Sequence, residues 1–260
     1  MTKSDQRIVV LASGGLDSAV LLDLFSKQFD SIYPVYIRSG HVWEKAELYW
    51  LKKLLKAIRS SFVNPSPSPL PSGERVGVRG SLKPLVQLRL LTKDLYRTHW
   101  SVTGKKIPGA KSPDESVYLP GKNLLLIAKA AVFCSLKKIH HIGLGPLKTN
   151  PFPDASRFFF NLMERTCSKG LSYKIAIHTP FLSRSKTEVM KSGKHLPLHL
   201  TFSCLAPVAG ARLLASAKPK LRYGGAGPRP YIHCGACNKC EERKLAFRQA
   251  GLPDRTQYAR

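Results

Sequence analysis

The turn Ser13-Gly14-Gly15-Leu16-Asp17-Ser18 limits the folds open to this chain more than any other segment. Before it, residues 7–12 (Arg-Ile-Val-Val-Leu-Ala) are short, apolar and β-branched, which reads as a buried strand. After it, residues 19–25 (Ala-Val-Leu-Leu-Asp-Leu-Phe) show no strand alternation and read as a helix. A glycine pair between strand and helix lets the backbone turn sharply and approach a ligand closely. Free N–H groups in such a turn, with the helix N-terminus, form an anion site suited to phosphate. Ser13 and Ser18 add hydroxyl donors; Ala12 precedes the turn and Leu16 lies within it. Asp17 repels phosphate, so its tasks are to coordinate Mg²⁺ or to cap the helix.

The alternation continues. Residues 31–37 read as a second strand, and 43–58 as an amphipathic helix with Leu48, Leu51, Leu54, Leu55 and Ile58 at helical spacing. Strand, turn, helix, strand, helix predicts an α/β fold with a doubly wound parallel sheet. Residues 85–91, 139–144 and 174–178 are expected strands. Helices are expected over 123–136, 154–166, 185–190 and 241–249, with Phe158, Phe159 and Leu162 facing the core. Residues 64–80 are rich in Pro, Ser and Gly without core periodicity, and we take 60–82 as a low-complexity insertion. Domain limits of 1–200 and 201–260 follow, with a second, basic insertion at 211–231.

Formal net charge is +26, a value that invites a polyanionic partner such as RNA. Residues 59–111 hold a net +8 and residues 210–231 five basic residues without an acid, and both stretches look like insertions. The charge therefore says little about a catalytic partner. No apolar run approaches the ~18 residues of a membrane span and no signal-peptide pattern is present, so a soluble, cytoplasmic protein is expected.

Four of the six cysteines are Cys204, Cys234, Cys237 and Cys240. The last three stand at x2 intervals in Cys234-Gly-Ala-Cys237-Asn-Lys-Cys240, with Cys204 able to return as a fourth ligand. That spacing suits a tetrahedral structural Zn²⁺. An iron–sulfur cluster held by three cysteines is the competing reading, against which the fourth thiol weighs. Cys134 and Cys167 read as core residues of helices.

Residues 12–22 (Ala-Ser-Gly-Gly-Leu-Asp-Ser-Ala-Val-Leu-Leu) resemble the PP-loop of the N-type ATP pyrophosphatases, enzymes of the adenine nucleotide α-hydrolase-like fold that split ATP between its α- and β-phosphates. The resemblance implies that Ala12, Ser13, Gly14, Gly15, Leu16, Asp17 and Ser18 bind ATP through its departing pyrophosphate. It also implies catalytic parts for Asp17 and Ser13. Such enzymes often bring a second lysine from a Lys-Thr-Glu helix start. Lys186-Thr187-Glu188 fits that slot, although a solvated lysine at a helix start has the same signature.

A PP-loop followed by the cysteine set resembles the 7-cyano-7-deazaguanine synthase family and its ExsB-like relatives. Tyr118-Leu-Pro-Gly-Lys-Asn123 is similar to that family's Tyr-x-Pro-Gly-Arg-Asn segment, and residues 150–154 (Asn-Pro-Phe-Pro-Asp) to its Tyr-Pro-Asp-type loop. His178-Thr-Pro180 and Thr201-Phe-Ser-Cys204 also match. The resemblance implies a ligase that joins 7-carboxy-7-deazaguanine and ammonia at the expense of ATP, through an adenylate, to give 7-cyano-7-deazaguanine for queuosine. It implies ATP, Mg²⁺ and Zn²⁺ as cofactors, and places Lys122, Asn123 and Asp154 on the substrate side, where a helix cap for Asn123 and a loop turn for Asp154 are equally open. Partners would be small molecules alone, with nucleic acid not required, no membrane, and a homodimer left open. Three features depart from the family: 29 residues separate Cys204 from Cys234, Tyr36-Ile-Arg-Ser-Gly-His41 replaces Tyr-Gly-Gln-Arg-His, and Lys122 stands in place of Arg. Two other readings stand beside this one: a tRNA-modifying ligase or thiolase on the same fold, and a basic zinc-knuckle protein that binds nucleic acid without turnover.

Overall fold

A computed structural model describes residues 6–63, 80–209 and 231–259. The strands of the main sheet are β1 (Arg7–Leu11), β2 (Ser31–Arg38), β3 (Ser81–Leu82), β4 (Val86–Arg89), β5 (His141–Gly143) and β6 (Ala176–His178). The helices are α1 (Leu16–Ser26), α2 (Glu44–Val63), α3 (Lys93–Tyr96), α4 (Trp100–Thr103), α5 (Lys122–Lys137), α6 (Arg157–Gly170), α7 (Lys186–Ser192) and α8 (Asn238–Ala250). A two-stranded antiparallel ribbon joins β7 (Val208–Ala209) to β8 (Tyr231–Ile232).

All pairings in the main sheet are parallel. Its order is β3-β2-β1-β5-β6, with β4 also pairing β2. β1 is central, and its run of β-branched residues is explained by burial on both faces. Ile8 and Val10 join one core with α1, α2, α7 and α8, whereas Val9 joins a second with α5 and α6. The doubly wound α/β expectation holds. A ligand crevice belongs at the strands' carboxyl ends, where β1 is flanked by β2 on one side and β5 on the other. α1 lies close on the sheet because Gly143 has no side chain: a Cβ there would sit 2.3 Å from Phe25 Cε2.

Three expectations are corrected. Phe158 is 78% and Leu162 49% exposed, so neither faces the core. Ser156 caps α6 by accepting from the Phe159 N–H at 3.1 Å, and the phase this sets turns Phe160, Met163 and Cys167 inward instead. The stretch 60–82 is shorter than expected, since α2 runs to Val63 and Ser81–Leu82 pair with β2; residues 64–79 lie outside the described residues. Most of the positive charge between 59 and 111 belongs to the folded domain, on exposed residues such as Arg89, Lys93, Arg97, Lys105 and Lys111. The 211–231 stretch lies outside the described residues up to 230, and Tyr231 opens β8.

The segment after residue 200 shares the main core rather than standing apart: Ala246, Phe247 and Ala250 of α8 pack into it. The Phe202 N–H donates to the Gly14 carbonyl at 2.8 Å. Among the described residues no helix is long and apolar enough to cross a membrane.

Candidate active site

The turn after β1 is built as its sequence dictates. The Ala12 N–H continues the β2 ladder by donating to the Val35 carbonyl at 3.0 Å. Gly14 then takes a left-handed φ of 83°, with Leu51 of α2 only 3.1 Å from where a Cβ would lie. Glycine alone meets both demands. Ser13 and Ser18 hold the turn closed, their hydroxyl oxygens 3.1 Å apart and the Ser13 N–H donating to Ser18 Oγ at 3.2 Å. Gly15 precedes α1 as its N-cap and brings no side-chain cap, which leaves the helix's first N–H groups open to an anion.

Asp17 does not cap α1. Its Oδ2 accepts from Lys186 Nζ at 2.7 Å, and its buried Oδ1 has no hydrogen-bond partner among the described residues. A buried carboxylate oxygen left unpaired beside a phosphate-type turn fits a hard cation such as Mg²⁺. Lys186 is the first residue of α7, which starts with a capping box between Ser185 and Glu188. From there it reaches 3.4 Å from Glu242 Oε1, and Lys239 pairs with Glu242 from the other side. Burial would lower the Lys186 ammonium, but Asp17 and Glu242 outweigh it and hold it above the usual lysine range. Burial would likewise raise Glu242, yet Lys186 and Lys239 bring it down to about 2. The result is a chain of alternating charge, Asp17–Lys186–Glu242–Lys239, across the mouth of the turn.

Opposite it, α5 brings Lys122 and Asn123, and the loop before α6 brings Asp154. Asp154 Oδ2 accepts from the Asn123 backbone N–H at 2.8 Å, and the Asn123 side-chain amide donates to the Asp154 carbonyl at 2.9 Å. Asp154 thereby satisfies one of the free donors of α5 from a distance in sequence. Burial raises the Asp154 carboxyl, opposed by that N–H and by Lys122. The Tyr118 and Phe152 rings stack beside them, centroids 4.9 Å apart.

One cavity of about 290 Å³ joins these parts. Ser13, Gly15, Leu16, Asp17 and Lys186 line it at the turn, and Lys122, Asn123 and Asp154 on the far wall. Ala12, Gly14 and Ser18 support the turn from behind. A second cavity of about 350 Å³ adjoins it across Asp17, Lys186, Lys239 and Glu242. Residues missed by sequence reasoning also line the first cavity: Glu47, Trp43 and Trp100, besides Lys239 and Glu242. Lys239 sits between two metal-type cysteines and Glu242 two residues after the last; that position on a tethered helix start was the available signal.

The four predicted cysteines converge. Their sulfurs all lie within 4.8 Å of one another, with Cys204 to Cys237 at 4.0 Å and Cys234 to Cys240 at 3.9 Å. Four thiolates around a tetrahedral zinc at ~2.3 Å stand ~3.8 Å apart, so the set fits that ion. Gly235 makes the knuckle turn at φ 79°. The Cys234 N–H donates to Cys204 Sγ, the Leu205 N–H to Cys237 Sγ and the Ala236 N–H to Cys234 Sγ, which favours thiolates. Cys134 is fully buried in α5, and burial raises its thiol to about 12.

Comparison with known proteins decides the family. Residues 7–251 match the family model described as "Queuosine biosynthesis protein QueC". The chain belongs to that family. Curated relatives called 7-cyano-7-deazaguanine synthase align along nearly their whole length. The protein of Persephonella marina is 29% identical, covering 97% of this chain and 96% of its own. That of Sulfurihydrogenibium is 29% identical, with 94% and 95% covered, and that of Aquifex aeolicus 27%, with 95% and 98%. Among solved structures, a predicted tRNA methyltransferase subunit of Methanocaldococcus jannaschii aligns over 71% of this chain and 72% of its own, at 14% identity and a TM-score of 0.41, a likeness too slight to build on. The QueC family uses ATP, and membership makes the chain an ATP-dependent ligase of queuosine biosynthesis acting on small molecules.

Proposed function

We propose that this chain converts 7-carboxy-7-deazaguanine and ammonia to 7-cyano-7-deazaguanine, activating the acid as an adenylate. The observation that carries the reading is the single cavity that joins the phosphate-type turn to a wall holding Lys122 and aromatic rings. A carboxylate is a poor electrophile; its oxygen attacks the α-phosphorus of ATP, pyrophosphate leaves, and AMP becomes the leaving group that ammonia displaces. A second activation then removes the amide oxygen to give the nitrile.

The turn amides, Ser13 and Lys186 hold the departing pyrophosphate, and their charge opposes what builds up there. Asp17 Oδ1 would hold Mg²⁺, which supplies further neutralisation of the phosphates. Lys122 attracts the substrate acid; Asn123 and Asp154 fix the start of α5 and so place Lys122. Cys204, Cys234, Cys237 and Cys240 would hold a structural Zn²⁺ that secures the start of α8, which carries Lys239 and Glu242. The reading includes a cytoplasmic protein, a homodimer as an open option, and no need for nucleic acid.

With 7-carboxy-7-deazaguanine, ammonia and Mg-ATP, the protein should release AMP and pyrophosphate in the absence of RNA. A strict requirement for tRNA would favour a tRNA-modifying ligase on the same fold, the reading to which the net charge of +26 lends support.

A further inference from the structure

Two glutamates stand one turn apart at the start of α2, and their surroundings differ. Glu44 is fully engaged: Oε1 accepts from Arg38 Nε at 2.8 Å and Oε2 from the Gly40 N–H at 2.7 Å. It ties the loop after β2 to the helix. Glu47 is half engaged. Its Oε2 accepts from the Tyr36 hydroxyl at 2.6 Å, and its Oε1 has no hydrogen-bond partner among the described residues. Glu47 lines the cavity together with Trp43, Trp100 and Lys122. The Trp43 and Trp100 indoles stack 5.5 Å apart and make this part of the wall flat and apolar.

A carboxylate in such a wall costs solvation that one hydroxyl does not restore, and a ligand bringing N–H donors would complete it. Its choice of ligand is narrow. Burial raises the Glu47 carboxyl to about 7, opposed by Lys122 and the Tyr36 hydroxyl; ionised, it only accepts, with two oxygens side by side. It repels phosphates and the substrate's own acid, and it rejects a ring edge that presents a carbonyl.

We propose that Glu47 reads the ring edge of the substrate, accepting hydrogen bonds from the ring N–H and the adjacent exocyclic 2-amino group of a 2-amino-4-oxopyrimidine ring. This rests on the deazapurine acid being the substrate. Glu47 sets the orientation as well as the identity. With the amino edge held at α2, the carboxylate at the far side of the bicycle is directed away from Glu47, toward the turn. Tyr36 is the positioning residue that fixes the rotamer of Glu47.

The test compares 7-carboxy-7-deazaguanine with its 2-desamino analogue in wild type, Glu47→Gln and Tyr36→Phe. Wild type should favour the amino substrate by roughly 10- to 150-fold in kcat/KM, the value of a hydrogen bond to a charged group, expressed chiefly in KM. Glu47→Gln presents a side-chain N–H where an acceptor is needed. It should lose that factor on the amino substrate, keep its KM for ATP, and discriminate less than threefold. Tyr36→Phe should keep the preference with a smaller loss. Wild-type turnover with equal kcat/KM for both compounds overturns the assignment, and needs no variant to fold. A preference that persists unchanged in Glu47→Gln also overturns it, while leaving the substrate reading intact. No wild-type turnover of the amino substrate overturns the substrate reading, and the assignment with it.

Discussion

Replacing Lys186 by Met takes the central cation from the Asp17–Lys186–Glu242–Lys239 chain while keeping much of its volume. Lys186 stands 2.7 Å from Asp17 and 3.4 Å from Glu242, and the three side chains are 19%, 24% and 31% exposed. Exposed ion pairs contribute about 0.2–1 kcal/mol, whereas stripping one partner from a buried pair costs about 3–5 kcal/mol. This partly buried chain falls between, so Lys186→Met should cost about 2 kcal/mol at pH 7. The pH dependence supplies a signature. Glu242 is held at about 2, below the ordinary 4.5, so its contribution is present above pH 4.5 and lost as pH falls through about 2. Wild type should therefore lose stability across that window, and Lys186→Met should lose less, because only Lys239 still holds Glu242 down. Urea unfolding midpoints at pH 7, 4.5 and 3 measure this. AMP formation should drop by about 10²–10³, as when one charge-stabilising group leaves a reaction centre. Midpoints equal to wild type at every pH, with AMP formation within twofold, would refute the role given to Lys186 in both fold and chemistry.

Other outcomes follow from the same geometry. Elemental analysis should find about one zinc per chain, and Cys237→Ser should lose most of it and lower the melting temperature; a sulfide-containing, coloured preparation would point to an iron–sulfur cluster instead. Gly143→Ala should cost about 1–3 kcal/mol in urea, since its Cβ would meet Phe25 at 2.3 Å, whereas Gly170→Ala, with nothing within 4 Å, should change stability by under about 0.5 kcal/mol. Replacing residues 64–79 and 210–230 by short Gly-Ser linkers removes net charges of +1 and +5, leaving +20, and should hold the melting temperature and the metal. Each halving of a loop changes its closure entropy by only ~0.6 kcal/mol; loss of the metal in that variant would show that one of these stretches is part of the structure.

What could be read in the sequence was whatever a local pattern enforces. The Gly14-Gly15 turn, the β-branched run of β1 and the Cys-x2-Cys-x2-Cys spacing each have one economical structural answer, and each was met. The phase of α6 was not legible. Phe158, Phe159, Phe160 and Leu162 offer more than one apolar face, and only packing against β5, β6 and α5 selects Phe160 over Phe158. Likewise, the limits of the Pro-rich stretch depend on β2, which recruits Ser81–Leu82 into the sheet by pairing rather than by their own propensity. The phosphate side of the site came from one contiguous motif. Glu47 and Trp43 were missed because nothing in their own neighbourhoods separates a cavity-lining side chain from a solvated one, whereas for Lys239 and Glu242 the adjoining cysteines were a signal left unused. Asp17 shows the converse: spacing left metal ligation and helix capping both open, and the position of Lys186, 169 residues away in sequence, removes the second.

The most direct test of the proposed reaction is the identity of its product. Purified protein is incubated with Mg-ATP, ¹⁵N-ammonia and 7-carboxy-7-deazaguanine, and the small molecules are read by mass spectrometry. The expected product is 7-cyano-7-deazaguanine carrying one ¹⁵N, with AMP and pyrophosphate formed alongside it. AMP formation that yields no labelled nitrile or amide from this acid would contradict the proposed reaction, and would place the enzyme's substrate elsewhere.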